Sequence, residues 1–356
     1  MMNAGGTFED LLSDLQGFQQ AEQADPSDPE PPFQSGLIHA RMGDYAAAVN
    51  CYLTALERDP GLARAQFNLG LAYTAQNLWE EAEAAYRRAV RLRERDHEAW
   101  ANLGAVYEAQ GRDEEALAAY RKAVVIDPSE QEARHRTGNI HIRRQEWEKA
   151  RQALGEAVDL DERDAAAWNG LGLVAYHQGH YEPAREYYLK AIDIDNEFAQ
   201  AWSNLGNLFA RLGEQQAAEE AYLEAVRRDG TDADIWFNLG EFYFSRNDPE
   251  TERALLRAID IDRKDLEAWE LLRQWYGRRP NYSVWKTALQ VLRLERPEDL
   301  SLLRELAHVH EHLGETEEAL GVLRKLIALD PADEESRLLL AELYNRQGRP
   351  LEAFGH

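Results

Sequence analysis

Apolar and small residues recur about one helical turn apart in paired runs along most of the chain. The stretch from His97 to Glu130 shows the pattern. Ala99, Trp100, Leu103, Gly104, Tyr107 and Ala109 mark one face of a first helix. Gly111 can take the left-handed conformation that ends it. Asp113 and Glu114 then suit the positive start of a second helix, because acids offset the exposed N–H groups there. That helix carries Ala116, Leu117, Ala119, Tyr120, Ala123, Val124 and Ile126, and Pro128 closes it. Gly104 and Ala116 are small where the two helices would cross, so the spacing predicts a close antiparallel pair with Tyr107 and Tyr120 filling the space beside the crossing.

The pair repeats. Gly36, Gly70, Gly104, Gly138, Gly172, Gly206 and Gly240 follow one another at intervals of 34 residues, and Trp100, Trp168, Trp202 and Trp236 keep the same register. One pair cannot bury its own apolar face, so a series of them must stack. Repeats 1 to 7 begin near 29, 63, 97, 131, 165, 199 and 233. Trp269 then follows Trp236 by 33 residues, which places a one-residue deletion in the turn from Arg246 to Pro249. Repeat 8, from about 266, has Arg273 in place of the glycine and Trp285 in place of the small crossing residue, a sign of a local bend or a packing change. Repeat 9 starts near 300. Repeat 10, near 334, carries Ala341, Tyr344, Gly348 and Ala353, and its second helix is expected to be missing or a stub. Its first helix, Glu334 to Gln347, is then a cap for the stack. Ahead of the repeats, Thr7 to Asp10 forms a capping box, Phe8, Leu11, Leu12, Leu15 and Phe18 share one face, and Ala24 to Pro32 is proline-rich. The division expected is an N-terminal helix and linker over 1–28, regular repeats over 29–265, and divergent repeats over 266–356. The N-terminal helix would cap the array, or dock in its own groove or a neighbour's.

The segment Trp100-Ala-Asn-Leu103-Gly104-Ala-Val-Tyr107, followed by Ala116 to Tyr120 and by Pro128, resembles the tetratricopeptide repeat. Trp202 to Phe209 and Trp236 to Tyr243 match it equally well, and the resemblance covers about residues 29 to 356. It implies an all-α solenoid of some nine to ten antiparallel helix pairs wound into a right-handed superhelix, with the first helices lining the concave side.

Charge narrows the partners. Sixty-five acids against 40 bases leave a net charge of -25, a surface that repels nucleic acid and anionic lipid. Lysine is confined to positions 122, 149, 190, 264, 286 and 325. That bias fits either adaptation to salt or an arginine-favouring genome. With Cys51 alone there is no intramolecular disulfide and no cysteine-based metal site. No apolar stretch is long enough for a membrane span and the first residues lack a secretory pattern, so the expected location is the cytoplasm.

Function is expected where the repeats carry more than packing requires. Asn68, Asn102, Asn204 and Asn238 each stand two residues before a motif glycine. A side-chain amide both donates and accepts, so such a series can hold the backbone of an extended peptide. The series resembles the asparagine ladder of the O-linked N-acetylglucosamine transferase repeats, although asparagine at this position can also serve helix packing. Arg136 and Gly170 interrupt it in repeats 4 and 5. In repeat 4, His135, Arg136, Asn139 and Arg143 share a helical face, and Asn207 and Arg211 are expected to face the same groove. These guanidiniums could grip an acidic partner, or pair with acids of adjacent repeats such as Glu108 or Glu146. The carboxylate clamp of chaperone-binding tetratricopeptide domains is only partly present: Asn102 and Arg136 fit, but Phe67, Leu71 and Glu132 do not. Glu305, His308 and His312 fall on one helical face but lack a second ligand cluster, so no metal is expected. No phosphate loop or nucleophile elbow is present. The expectation is a non-catalytic adaptor, without cofactor, that binds an extended or helical and partly acidic segment of another protein in its groove. The rivals are a scaffold that self-associates through its N-terminal helix or C-terminal end, and a recruiting subunit of an enzyme complex.

Overall fold

The computed structural model describes residues 8–279 and 281–349, and all regular structure in them is helical. The residues fall into two blocks, 1–194 and 195–356. The first block holds α1 (Phe8–Ala24), α2 (Glu30–Arg41), α3 (Tyr45–Arg58), α4 (Ala63–Thr74), α5 (Trp79–Leu92), α6 (His97–Ala109), α7 (Asp113–Ile126), α8 (Gln131–Arg143), α9 (Trp147–Leu160), α10 (Ala165–His177) and α11 (Tyr181–Ile194). The second holds α12 (Ala199–Leu212), α13 (Gln215–Arg228), α14 (Ala233–Ser245), α15 (Glu250–Ile261), α16 (Leu266–Arg278), α17 (Tyr282–Glu295), α18 (Leu300–His312), α19 (Thr316–Leu329) and α20 (Glu334–Arg346). Each helix packs mainly on its neighbour in sequence, and within each block first helices also touch the next first helix, as α6 does α8 and α12 does α14. The architecture is an all-α solenoid.

The 34-residue glycine is required by the crossing. Tyr52, Tyr86, Tyr120, Tyr188 and Tyr222 are buried, and each sits against the glycine of its own pair. A Cβ on Gly104 would lie 2.6 Å from Tyr120 Cε1, and one on Gly138 would lie 2.5 Å from Leu154 Cγ. Only a residue without a side chain admits the ring or the branched chain at that depth. The helix stop repeats with the same period. Gly43, Gly111, Gly179 and Gly213 all have positive φ, and Asn77, Gln145 and Asn247 adopt φ of 58°, 57° and 55° at the equivalent places. The motif tryptophans act between elements as well as in the core. Trp100, Trp168, Trp202, Trp236 and Trp269 each donate the indole N–H to the carbonyl six residues earlier, at 2.9 to 3.1 Å. That bond ties the start of each first helix to the turn before it.

Two sequence expectations change. The linker is shorter than Ala24 to Pro32: α1 runs to Ala24, and Pro31 and Pro32 lie buried in the first turn of α2, where the missing N–H costs nothing. The deletion falls just after the Arg246–Pro249 turn. Asp248 N–H still bonds Tyr243 O, as Arg112 N–H bonds Tyr107 O, so the turn keeps its length. The first turn of α15 is instead one residue short, which brings Leu255 under Gly240 and buried Thr251 to the small crossing position. The N-terminal helix packs on α2 of its own array, with Glu22 paired to Arg58. Thr7 of the capping box and residues 350–356, Ala353 among them, lie outside the described residues.

Repeat 8 replaces apolar closeness with ion pairs. Arg273 reaches from α16 to Glu305 of α18 and to Glu270 on its own helix, and Arg296 bonds Glu270 at 2.8 Å. Trp285 is partly buried beside Tyr282 in this looser pair. Burial pushes the Glu270 carboxyl up, but the bonds from Arg273 and Arg296 outweigh it and hold the group at about 2. A carboxyl depressed in the folded state stabilises above its ordinary 4.5, and that contribution is lost as pH falls toward about 2. The urea midpoint of Glu270→Gln is therefore expected to lie below that of the parent at neutral pH and to converge on it as the solution is acidified through this window. A gap that stays constant with pH would refute the assignment.

Candidate peptide-binding face

The first helices of the first block, α2, α4, α6, α8 and α10, place Asn68, Asn102, His135, Arg136, Asn139 and Arg143 on their partly exposed sides. Asn68 Nδ2 donates to Arg64 O and Asn102 Nδ2 to Glu98 O, both at 2.8 Å and both within the helix. One amide N–H is thus spent locally in each. Neither amide has a further partner among the described residues.

Between α6 and α8 lies an open recess of about 280 Å³ lined by Glu98, Ala101, Asn102, Ala105, Tyr120, Glu130, Glu132 and Arg136. It brings together two predicted residues from successive repeats, Asn102 and Arg136. It also uses Tyr120, whose motif position marks it as core filler. Tyr120 Oη donates to Glu108 at 2.9 Å, and burial first, with Glu108 second, pushes its hydroxyl well above the ordinary phenol range.

The arginines of repeat 4 are engaged. Arg143 donates to Glu108 at 2.8 Å and to Asp113 at 2.9 Å. Arg136 bonds Glu132 at 2.6 Å and stands 3.6 Å from Glu108. Arg144 bonds Glu114 at 2.6 Å. Of the two readings for these side chains, the structure displays pairing with acids of the adjacent repeat. Glu108, half-buried, is the residue on which Tyr120, Arg136 and Arg143 converge, and its role could be found in the sequence only as a complement to the arginines. His135 and Asn139 contact each other at 3.3 Å.

In the second block, Asn238 Nδ2 donates to Ser203 Oγ at 3.1 Å, linking α14 to α12. This amide serves helix packing. Asn207 Oδ1 accepts from Tyr222 Oη at 2.6 Å. Asn204 is half-buried on α12, and Arg211 is exposed near the end of the same helix. Glu305, His308 and His312 do not converge: Glu305 pairs with Arg273, His308 faces Glu311 and Glu335, and His312 stacks on Tyr282 at 4.4 Å between centroids. Among the described residues no group of three metal-binding side chains comes together, and no helix is long and apolar enough to cross a membrane.

Three family profiles match. Residues 33–96 match the tetratricopeptide repeat, residues 85–196 the tetratricopeptide domain of cytochrome c-type biogenesis protein H, and residues 174–354 the C-terminal domain of cilia and flagella-associated protein 70. The chain belongs to the tetratricopeptide repeat family. Among solved structures, this tetratricopeptide repeat chain is similar to a tetratricopeptide repeat protein from Parabacteroides merdae, with a TM-score of 0.61 and 18% identity, over 69% of this chain and 97% of that one. It is also similar to PilF of Pseudomonas aeruginosa, with a TM-score of 0.50 and 22% identity, over 61% and 99%. YrrB, described as a tetratricopeptide protein with an unusual peptide-binding site, gives 0.47 and 23% identity, over 52% and 96%. At these identities the likeness is one of fold. No curated protein matches.

Proposed function

We propose that this tetratricopeptide repeat chain is a non-catalytic interaction scaffold that holds an extended segment of a partner protein along its first-helix face. The observation that carries the reading is the recess between α6 and α8, where an amide and a guanidinium from successive repeats meet beside a phenol. Asn68 and Asn102 each retain an acceptor and a donor for a peptide backbone. In the second block, Asn238 contributes through helix packing. An acidic side chain on the partner would have to compete with Glu108 and Glu132 for Arg136 and Arg143. Selection at this face therefore rests on the backbone more than on charge.

Neutral hydrogen bonds of this kind contribute about 0.5–1.5 kcal/mol each. Replacing both Asn68 and Asn102 with alanine should weaken partner binding by roughly tenfold or more. The check is a photo-crosslinking residue placed at Ala105, with the captured polypeptide identified by mass spectrometry and its affinity remeasured against the double variant. Equal affinities for the parent and the variant would remove the asparagines from the mechanism.

A further inference from the structure

Elsewhere in the same block, α5, α6 and α7 enclose a groove of about 530 Å³. Its walls combine Trp100, Val125 and Ile126 with Arg91 and Lys122, and Glu94 is its one acid. We propose that this groove is a second binding site, taking an acidic polypeptide segment that carries aliphatic side chains. The proposal stands apart from the first-helix reading and uses none of its asparagines.

Three observations carry it. The first is unspent positive charge. Other arginines of this block are tied to acids, as Arg112 is to Glu83 and Glu115 and Arg143 is to Glu108. Arg91 and Lys122 are exposed and have no ion pair or hydrogen bond among the described residues, and the same holds for Arg88 on α5, for Arg93 and Arg95 after it and for Arg121 on α7. In a chain of net charge -25, a cluster of cations left without acids is out of keeping with its surroundings. The second is unburied apolar surface between those cations: Val125 is 73% exposed. The third is an uncovered indole. Arg228 lies 4.6 Å over the ring of Trp202, 26 residues after it in sequence. Ile126 takes that position relative to Trp100, so no cation among the described residues covers the Trp100 ring, while its N–H is already spent on Glu94 O.

Such a groove offers an aliphatic side chain an apolar floor and offers flanking carboxylates two guanidinium or ammonium groups. Arginine and lysine on the rim attract acids at range, and burial of a leucine or valine against Trp100 supplies adhesion. A uniform polyanion fits less well. Nucleic acid or an anionic bilayer would meet Glu94 inside the groove and the excess of acids beyond it.

The test is fluorescence anisotropy with the full chain and a labelled dodecapeptide alternating Asp or Glu with Leu or Val. Saturable binding is expected, and it should fall about tenfold in Arg91→Glu/Lys122→Glu and by a similar factor in Val125→Asp. These side chains are exposed and unpaired, so the fold should survive, and circular dichroism would confirm it. A peptide with serine in place of every Leu and Val should bind more weakly. The proposal is overturned if the groove variants bind unchanged, or if the serine peptide binds equally well. Tighter binding of a single-stranded RNA oligomer or phosphatidylserine vesicles than of the peptide would also overturn it.

Discussion

Tyr188→Ala is expected to lower the unfolding free energy by about 3–5 kcal/mol, the range for removing a large, fully buried aromatic ring. Tyr188 is 1% exposed and fills the crossing of α10 and α11 against Gly172. Approaching the same contact from the other side, Gly172→Ala would put a methyl group 2.5 Å from Tyr188 Cε1 and 2.6 Å from Cδ1. Neither ring carbon can yield without moving the buried ring, so a cost of about 1–3 kcal/mol is expected for a single carbon atom. The two changes should not add. With the ring gone, the methyl enters space already vacated, so the double variant should be less destabilised than the sum of the singles by more than about 0.5 kcal/mol. Urea unfolding of the four proteins measures this coupling directly. Strict additivity would show that the glycine is kept for some reason other than the ring. Because each repeat contacts only its neighbours, melting should begin in the repeats around 172 and spread outward.

Asp333→Ala should detach the last helix. Asp333 caps α20 by accepting from Ser336 N–H at 3.2 Å, accepts from Ser336 Oγ at 2.8 Å, and is bound by Arg304 of α18 at 2.8 Å. Its side chain is 6% exposed. Burial raises the carboxyl, but Arg304 and Ser336 outweigh that and hold it below the usual carboxylate range. Deleting this helix cap together with its pairing to the half-exposed Arg304 costs about 1–3 kcal/mol. Since α20 packs mainly on α19, the loss should appear as fraying of this helix rather than as global unfolding. Hydrogen exchange of the α20 amides should accelerate by about one order of magnitude or more, with the amides of α14 unchanged. Uniform acceleration through the second block would mean that the cap stabilises the array as a whole.

Much of the fold was readable because its period is carried by residues with a narrow physical purpose. Gly104 and its counterparts announce a crossing, and the glycine seven residues on announces a left-handed stop. The stops at Asn77, Gln145 and Asn247 were not readable in this way, since a side chain at positive φ is adopted only when the rest of the turn requires it. Pro31 and Pro32 suggested a linker and instead begin a helix, because proline favours both settings and only the packing of Phe33 below them decides. For the first-helix face, the sequence could place Asn102 and Arg136 one repeat apart. It could not show that Arg136 and Arg143 spend their charge on Glu108, or that Asn238 turns to Ser203.

The sequence by itself determined the helical pairs, their 34-residue register, the glycines beneath the buried rings and the excess of acid, since each follows from local conformational preference or from composition. The tertiary structure alone decided which charges are spent. Arg143 finds its partner, Glu108, 35 residues earlier, on the preceding repeat, and the distance between them is set by how the helices stack. For the same reason, only the folded chain shows that Arg91 and Lys122 are left without acids beside an open indole.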